Sequence, residues 1–249
     1  LTNTGMYNRK ISNYAKAEDF YTKAITLFTE LKNQEQLAKT LNRISVAQRR
    51  LGKLEESMNS LMRALEIYHN INGSKKSIAN CYVSLGNIEG TIRNYQKSTD
   101  YFKEAEKLYL EINWKKGLAT VRGNIGINLE KMGNYDEAIS YQEKALEYQL
   151  KSNNFSGALQ RYISIGNIRL ELGEFDLAKN YYNKAYELST KQHELSLKAL
   201  TLRNLGKVLQ LQGEHRKSLD YFLKALKILE QNKYGSKLAS AYRNVATAN

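Results

Sequence analysis

Side chains that commonly perform catalysis or bind metals are few and scattered in this sequence. None of the three histidines, His69, His193 and His215, has a second potential ligand three or four residues further along, the spacing that would align two ligands on one helix face. We therefore interpret them as surface or loop histidines rather than as parts of a metal centre or a general base.

The other candidates for chemistry have structural explanations. The acidic pairs Glu55-Glu56 and Asp136-Glu137 open helical patterns, where carboxylates favour the positive end of a helix dipole. Gly-Asn-Ile occurs at Gly86 and Gly166, outside any phosphate-cradling motif. The single cysteine, Cys81, excludes an intramolecular disulfide, and its apolar neighbours predict a small core residue. No nucleophile has a partnered base, so the sequence predicts neither an enzyme nor a cofactor.

A fixed period organises the chain. Alanines recur at intervals of 40, 41, 40, 40 and 40 residues, at Ala24, Ala64, Ala105, Ala145, Ala185 and Ala225. Other columns keep the same register: Gly5, Ser45, Gly86, Gly126, Gly166 and Gly206; then Ala17, Ser57, Ser98, Ala138, Ala178 and Ser218; and the glycines Gly52, Gly133, Gly173 and Gly213. A period of this length is typical of stacked-repeat architectures.

Each period predicts two antiparallel helices joined by a tight turn. In the fifth copy, residues 159–172 and 175–188 carry apolar residues at helical spacing on either side of Gly173. Glycine there supplies the positive φ of the turn. The one 41-residue step places an extra residue in the loop around Ile71–Ser77, which leaves both neighbouring helices intact.

The repeat resembles the tetratricopeptide repeat (TPR) family over essentially the whole chain. In the fifth copy, the small residues that the family motif expects are Gly166, Ala178 and Ala185, with an aromatic at Tyr182. The departures are a period near 40 instead of 34, the absence of proline, Arg93 in place of the third inter-helix glycine, and Gln142 in place of an aromatic. The longer repeat is most similar to kinesin light chains, Pins-type adaptors and Rap-type bacterial regulators.

This resemblance implies an all-α fold, a right-handed α-solenoid of stacked helix-turn-helix repeats. We expect a single array over residues 1–249, with units near 1–32, 33–73, 74–113, 114–153, 154–193 and 194–233 and a partial unit at 234–249. Both ends fall inside the first helix of a repeat, and Tyr242–Ala246 matches Leu202–Gly206. Because neither end shows a polar cap, we expect the chain to be a fragment of a longer protein.

The family's register implies which residues line the concave groove of the array. The candidates for peptide binding are Asn42, Arg43, Arg49, Asn80, Asn87, Asn124, Asn167, Arg203, Asn204 and Lys207. An asparagine amide offers both a donor and an acceptor to an extended peptide backbone. Alternatively, these asparagines bond to neighbouring helices or reflect an asparagine-rich composition. Trp114 likewise either anchors a partner or packs between adjacent repeats.

The formal net charge of +13 leaves two readings open. Lysines are spread over all the repeats and interleaved with glutamate, which favours a solvated surface over a nucleic-acid interface. The groove candidates are net positive and favour an acidic segment or a C-terminal carboxylate as the ligand. No apolar run approaches the length of a membrane span. A cytoplasmic location is favoured, an extracytoplasmic sensor stays open, and the oligomeric state is not predicted.

These observations predict a non-enzymatic scaffold that binds a protein or peptide in its groove. The alternative is a peptide- or ligand-sensing regulatory domain of a larger bacterial signalling protein, whose kinase, cyclase or transcription-factor output lies outside this chain. A membrane segment is not expected in this chain, and neither a metal nor a cofactor is expected.

Overall fold

The fold is all-α, as predicted. A computed structural model describes residues 1–232 and 234–248, and within them it contains thirteen helices and no strand. The helices are α1 Thr2–Lys10, α2 Tyr14–Glu30, α3 Gln34–Arg50, α4 Leu54–Asn70, α5 Lys75–Thr91, α6 Tyr95–Glu111, α7 Lys115–Lys131, α8 Tyr135–Lys151, α9 Phe155–Glu171, α10 Phe175–Lys191, α11 Leu195–Leu211, α12 His215–Gln231 and α13 Gly235–Ala248.

The helices group into two compact units, Leu1–Gly133 with α1 to α7 and Asn134–Asn249 with α8 to α13. Within each unit, every helix packs on the next one along the chain. We call the odd-numbered helices A helices and the even-numbered ones B helices. In the first unit α3 also contacts α1 and α5, and in the second unit α11 also contacts α9 and α13. Successive helical repeats are therefore present, while the limits of a single array remain a prediction.

Left-handed residues make the turns between helices. Gly52, Gly133, Gly173 and Gly213 have φ between 73° and 80° and separate an A helix from its B helix. Arg93 adopts the same conformation, at φ 64°, without the freedom of glycine. Asn72, Asn113 and Asn153 take positive φ in turns that follow B helices. The turn between α4 and α5 has four residues, 71–74, which contain the extra residue expected from the 41-residue step.

The small-residue column of the A helices lets aromatic rings of the B helices approach closely. An added Cβ would lie 2.6 Å from a ring carbon of Tyr182 at Gly166 and 2.7 Å from a ring carbon of Phe102 at Gly86. The six repeated alanines are at most 3% exposed. Cys81 is buried, as expected for a core residue. The column of small side chains thus determines how closely the helices of a pair can pack.

Serines in the small B-helix column add hydrogen bonds to this packing. The hydroxyls of Ser57, Ser98 and Ser218 donate to the carbonyl oxygens of Ser45, Gly86 and Gly206 at 2.7–2.8 Å. Each donor is a buried hydroxyl whose desolvation is offset by the bond. Serine and alanine occur in the same column because both are small enough for close contact between the helices.

Gln142, the departure from the aromatic column, is fully buried and hydrogen-bonded. Its Oε1 accepts from Arg161 Nη1 at 2.8 Å, which joins α8 to α9. Burial lowers the pKa of the Arg161 guanidinium. A polar pair therefore takes the place of aromatic packing at this position.

None of the helices in residues 1–232 and 234–248 is both long enough and apolar enough to cross a bilayer.

Candidate functional site

Two open depressions lie on the A-helix side of the first unit, where the sequence predicts binding residues. Depression 1 has a volume of about 430 Å³ and is lined by Arg9, Lys39, Asn42, Arg43, Val46, Tyr68, Ser77, Asn80, Val83 and Ser84. Depression 2 has a volume of about 390 Å³ and is lined by Arg49, Gly86, Asn87, Gly90, Thr91, Tyr95, Ser98, Phe102, Asn124, Ile127, Asn128 and Lys131. Helices α3 and α5 contribute to both depressions.

The asparagines of depression 1 already have partners within the protein. Asn42 Nδ2 donates to Cys81 Sγ at 3.2 Å, and Ser84 Oγ donates to Asn42 Oδ1 at 3.3 Å. The hydroxyl of Tyr109 donates to Asn80 Oδ1 at 2.8 Å. These bonds hold α3 to α5 and α5 to α6, so the structural interpretation applies to both amides. Asn80 Nδ2 keeps its donors for another partner.

Three cations, Arg9, Lys39 and Arg43, line depression 1. Lys39 pairs with Glu35 at 2.6 Å, whereas Arg43 has no carboxylate within 4 Å among the described residues. Arg9 Nε is buried without a hydrogen-bond partner in that part of the chain. Arg9 was not among the predicted groove residues, although it occupies the same register as Arg49, four residues beyond the small-residue column.

The amides of depression 2 divide into structural and available ones. Asn128 Nδ2 donates to Ser98 Oγ at 2.8 Å and is buried. The side chains of Asn87 and Asn124 are half-buried and make no hydrogen bond to any residue that the structure describes. Both therefore retain their full donor and acceptor capacity toward a ligand.

The charge at depression 2 comes from Arg49 and Lys131. Burial, with a smaller contribution from the neighbouring Arg50, lowers the pKa of Arg49. Lys131 approaches Glu130 only at 3.4 Å. Glu89 of α5 is 2% exposed and pairs with Lys97 of α6 at 2.9 Å. The lining of both depressions, over the residues described, contains no aspartate or glutamate.

The predicted residues of the second unit have a different environment. Asn167 Oδ1 accepts from the Tyr182 hydroxyl at 2.8 Å and from Asn204 Nδ2 at 3.2 Å. Asn204 is 7% exposed, and Arg203 Nη2 contacts its Oδ1 at 3.4 Å. Lys207 is exposed. The asparagine pair thus joins α9 to α11, which is a structural role.

The structure shows the environment of the three histidines and of Trp114. His69, His193 and His215 are exposed, and the described residues contain no group of three or more potential metal ligands. The Trp114 ring lies 4.7 Å from the Tyr109 ring, edge to face, and Lys76 Nζ lies 4.2 Å from its centroid. Trp114 therefore packs on α5 and α6.

The repeated helix pairs and their small-residue contacts define a helical-repeat protein. The family model described as tetratricopeptide repeat matches residues 1–69, 36–111, 117–191 and 157–231. The chain belongs to the tetratricopeptide repeat family, and on that basis it is a protein-binding scaffold. No curated protein sequence matches it.

Solved structures with the same fold share little sequence with this chain. The apo form of RapI is 17% identical over 99% of this chain and 95% of its own, with a TM-score of 0.76. The Rap conjugation gene regulator of plasmid pLS20, in complex with the Phr* peptide, is 20% identical over 99% of this chain and 71% of its own, with a TM-score of 0.64. A STAND protein with a tetratricopeptide repeat sensor from Pyrococcus horikoshii is 16% identical over 99% of this chain and 42% of its own, with a TM-score of 0.75.

Proposed function

We propose that the first unit binds an acidic peptide segment along α3 and α5, across depressions 1 and 2. The observation that carries this proposal is the lining of the two depressions, which contains arginines, lysines and asparagines but no carboxylate among the described residues. A ligand with carboxylates at intervals would compensate this charge. The chain would act as a binding scaffold and not as an enzyme.

The two depressions supply complementary kinds of contact. Arg43 and Arg49 lie six residues apart on α3, Arg43 in depression 1 and Arg49 in depression 2. Their guanidinium groups can bind carboxylates in a bidentate manner. Asn87 and Asn124 offer amides that can pair with the unpaired N–H and C=O groups of an extended peptide. Side-chain charges would thus select the peptide, and the amides would hold its backbone.

A second candidate function is peptide sensing within a larger signalling protein. It is supported by the similarity in fold to two other proteins. One is the Rap regulator in complex with the Phr* peptide, and the other is the P. horikoshii STAND protein with a tetratricopeptide repeat sensor. Both candidate functions use the same peptide surface. They differ in whether binding changes the activity of an attached output domain, which the full-length gene product would reveal.

The test compares two reversals of charge in the full chain. Peptides are selected from a displayed library of random linear sequences, and their affinities are measured by fluorescence anisotropy. We expect acidic peptides to be selected, and Arg43→Glu to weaken their binding by about tenfold or more. The matched control is Arg63→Glu, which makes the same change at an exposed position of α4 and should change the affinity by less than about twofold.

Equal effects of the two reversals would show that the overall charge drives binding, and selection of peptides without acidic residues would exclude the proposed ligand class.

A further inference from the structure

A partly enclosed cavity lies between α11, α12 and α13 of the second unit. Its volume is about 160 Å³, and it is lined by Ser196, Ala199, Leu200, Arg203, Phe222, Ala225, Leu229, Lys237, Ser240, Ala241 and Asn244. It shares no residue with depressions 1 and 2. The cavity is therefore a site separate from the proposed peptide surface.

The floor of the cavity is apolar. Ala199, Phe222, Ala225, Leu229 and Ala241 are all at most 6% exposed. The apolar side chains of this floor can receive an apolar group of a ligand.

The polar wall of the cavity is cationic. Arg203 is half-buried, its Nη2 donates to Oδ1 of the adjacent Asn204 at 3.4 Å, and no carboxylate lies within 4 Å of it in the described part of the chain. Lys237 Nζ contacts the Ser196 hydroxyl and lies 5.6 Å from the centroid of the Tyr234 ring. Burial lowers the pKa of Arg203, which reflects the cost of holding this charge away from water.

No acidic residue offsets these two cations among the lining residues described. A carboxylate from a ligand would pair with the guanidinium and take over the role of the missing counterion. The hydroxyls of Ser196 and Ser240 and the amide of Asn244 supply further hydrogen-bonding groups at the same wall.

We propose that this cavity binds a small carboxylic acid whose single apolar group is close to a benzene ring in size. The size follows from the volume, because an apolar protein cavity of about 150 Å³ accommodates benzene. The charge follows from Arg203 and Lys237 at the wall. The apolar group enters between Phe222 and Leu229, and the carboxylate faces Arg203.

The experiment uses phenylacetate as the probe and the full chain as the protein. Binding is followed by ligand-observed NMR and isothermal titration calorimetry, with phenylacetamide as a neutral probe of the same shape. We expect phenylacetate to bind at least about tenfold more tightly than phenylacetamide, since charge-assisted bonds to Arg203 are lost in the amide.

Two variants locate the site. Arg203→Gln should reduce the affinity for phenylacetate by about tenfold, whereas Arg216→Gln, the same change at an exposed position of α12, should leave it unchanged. Ala241→Leu should abolish binding by filling the cavity, and circular dichroism checks that the helices persist. If Ala241→Leu loses helicity, the Arg203→Gln comparison decides alone.

The proposal is overturned if phenylacetate does not bind, if the amide binds equally well, or if Arg203→Gln and Arg216→Gln behave alike.

Discussion

Individual asparagines divide into those that bind within the protein and those that are available to a ligand. Asn167 and Asn204 form a bonded pair, and Asn42 and Asn80 hold neighbouring helices. Asn124 makes no hydrogen bond within the described chain. Asparagine is a poor helix former, so Asn124 destabilises α7, and no hydrogen bond of its side chain compensates for this cost.

Replacing Asn124 and Asn204 by alanine separates the two roles. Asn124→Ala should raise the free energy of unfolding by about 0.5 kcal/mol through helix propensity, and it should weaken binding of the selected acidic peptide. Asn204→Ala should lower the free energy of unfolding by about 1 kcal/mol, because Asn167 loses a buried partner. Urea titration and anisotropy measure the two quantities. The opposite pattern would reverse the assignment of these residues.

The buried thiol gives the fold a pH dependence with a defined sign. Burial raises the pKa of Cys81 from 9.0 to about 12. Between these pH values the unfolded chain releases a proton that the folded chain keeps, so the free energy of unfolding falls as the pH rises. Burial also raises the pKa of Tyr68, to about 12, and adds to the same fall.

Cys81→Ala should make that fall shallower. The thiol contributes at most about 1.4 kcal/mol per pH unit, and the tyrosine contribution remains in both proteins. Urea titrations at about pH 8 and about pH 10 give the two slopes. Identical slopes would mean that the thiol is ionised in the folded protein.

The register predicted much of the site but not its internal bonding. The position of a residue on an A helix is set by the helical period, so the register predicts Asn42, Arg43 and Asn80 on one surface, and all three line depression 1. Whether an amide is already bonded depends on the distance between two helices, as for the Tyr182 hydroxyl and Asn167. The residue pattern of a single helix does not predict the distance between two helices.

At the scale of the helix, the pairing of A and B helices depends on the small-residue column. Gly166→Ala would bring a Cβ to 2.6 Å from Tyr182 Cε1, and that ring is fully buried and bonded to Asn167. We expect the free energy of unfolding to fall by about 1–3 kcal/mol through overpacking, although alanine normally stabilises a helix.

The control for this change is Gly235→Ala in α13, where an added Cβ meets no atom within 4 Å. Urea titration should find it neutral or slightly stabilising. If both glycines tolerate alanine equally, close approach at the glycine column is not what sets the helix spacing.

The positions of most turns were accessible from the sequence, whereas the helices are longer than predicted: residues 159–172 and 175–188 were expected, and α9 and α10 span Phe155–Glu171 and Phe175–Lys191. The glycine columns marked the turns after four A helices, but Arg93 and Ser12 adopt positive φ without glycine. The residue types at these two positions do not predict a positive φ, because the packing of the helices on either side imposes that conformation. The Gln142–Arg161 pair is a similar case, in which a partner from the next helix satisfies a buried amide.

At the scale of the whole molecule, the positive charge has two different distributions. Several B-helix lysines pair with an acid one turn away, as in Lys23–Asp19 and Lys224–Asp220, and others lie over aromatic rings, as Lys184 does over Tyr181. Such a surface is solvated and balanced. Lys39 and Lys131 pair with Glu35 and Glu130, whereas the arginines that line the two depressions, Arg9, Arg43 and Arg49, have no carboxylate within 4 Å among the described residues. The uncompensated charge of the two depressions therefore lies on these arginines of α1 and α3.

The most direct test of peptide binding on this surface is hydrogen exchange of the full chain with and without a selected acidic peptide. We predict slower amide exchange in α3 and α5, where both depressions lie, and unchanged exchange in α10 and α12. Protection confined to B helices, or to helices after Gly133, would contradict the proposed binding surface.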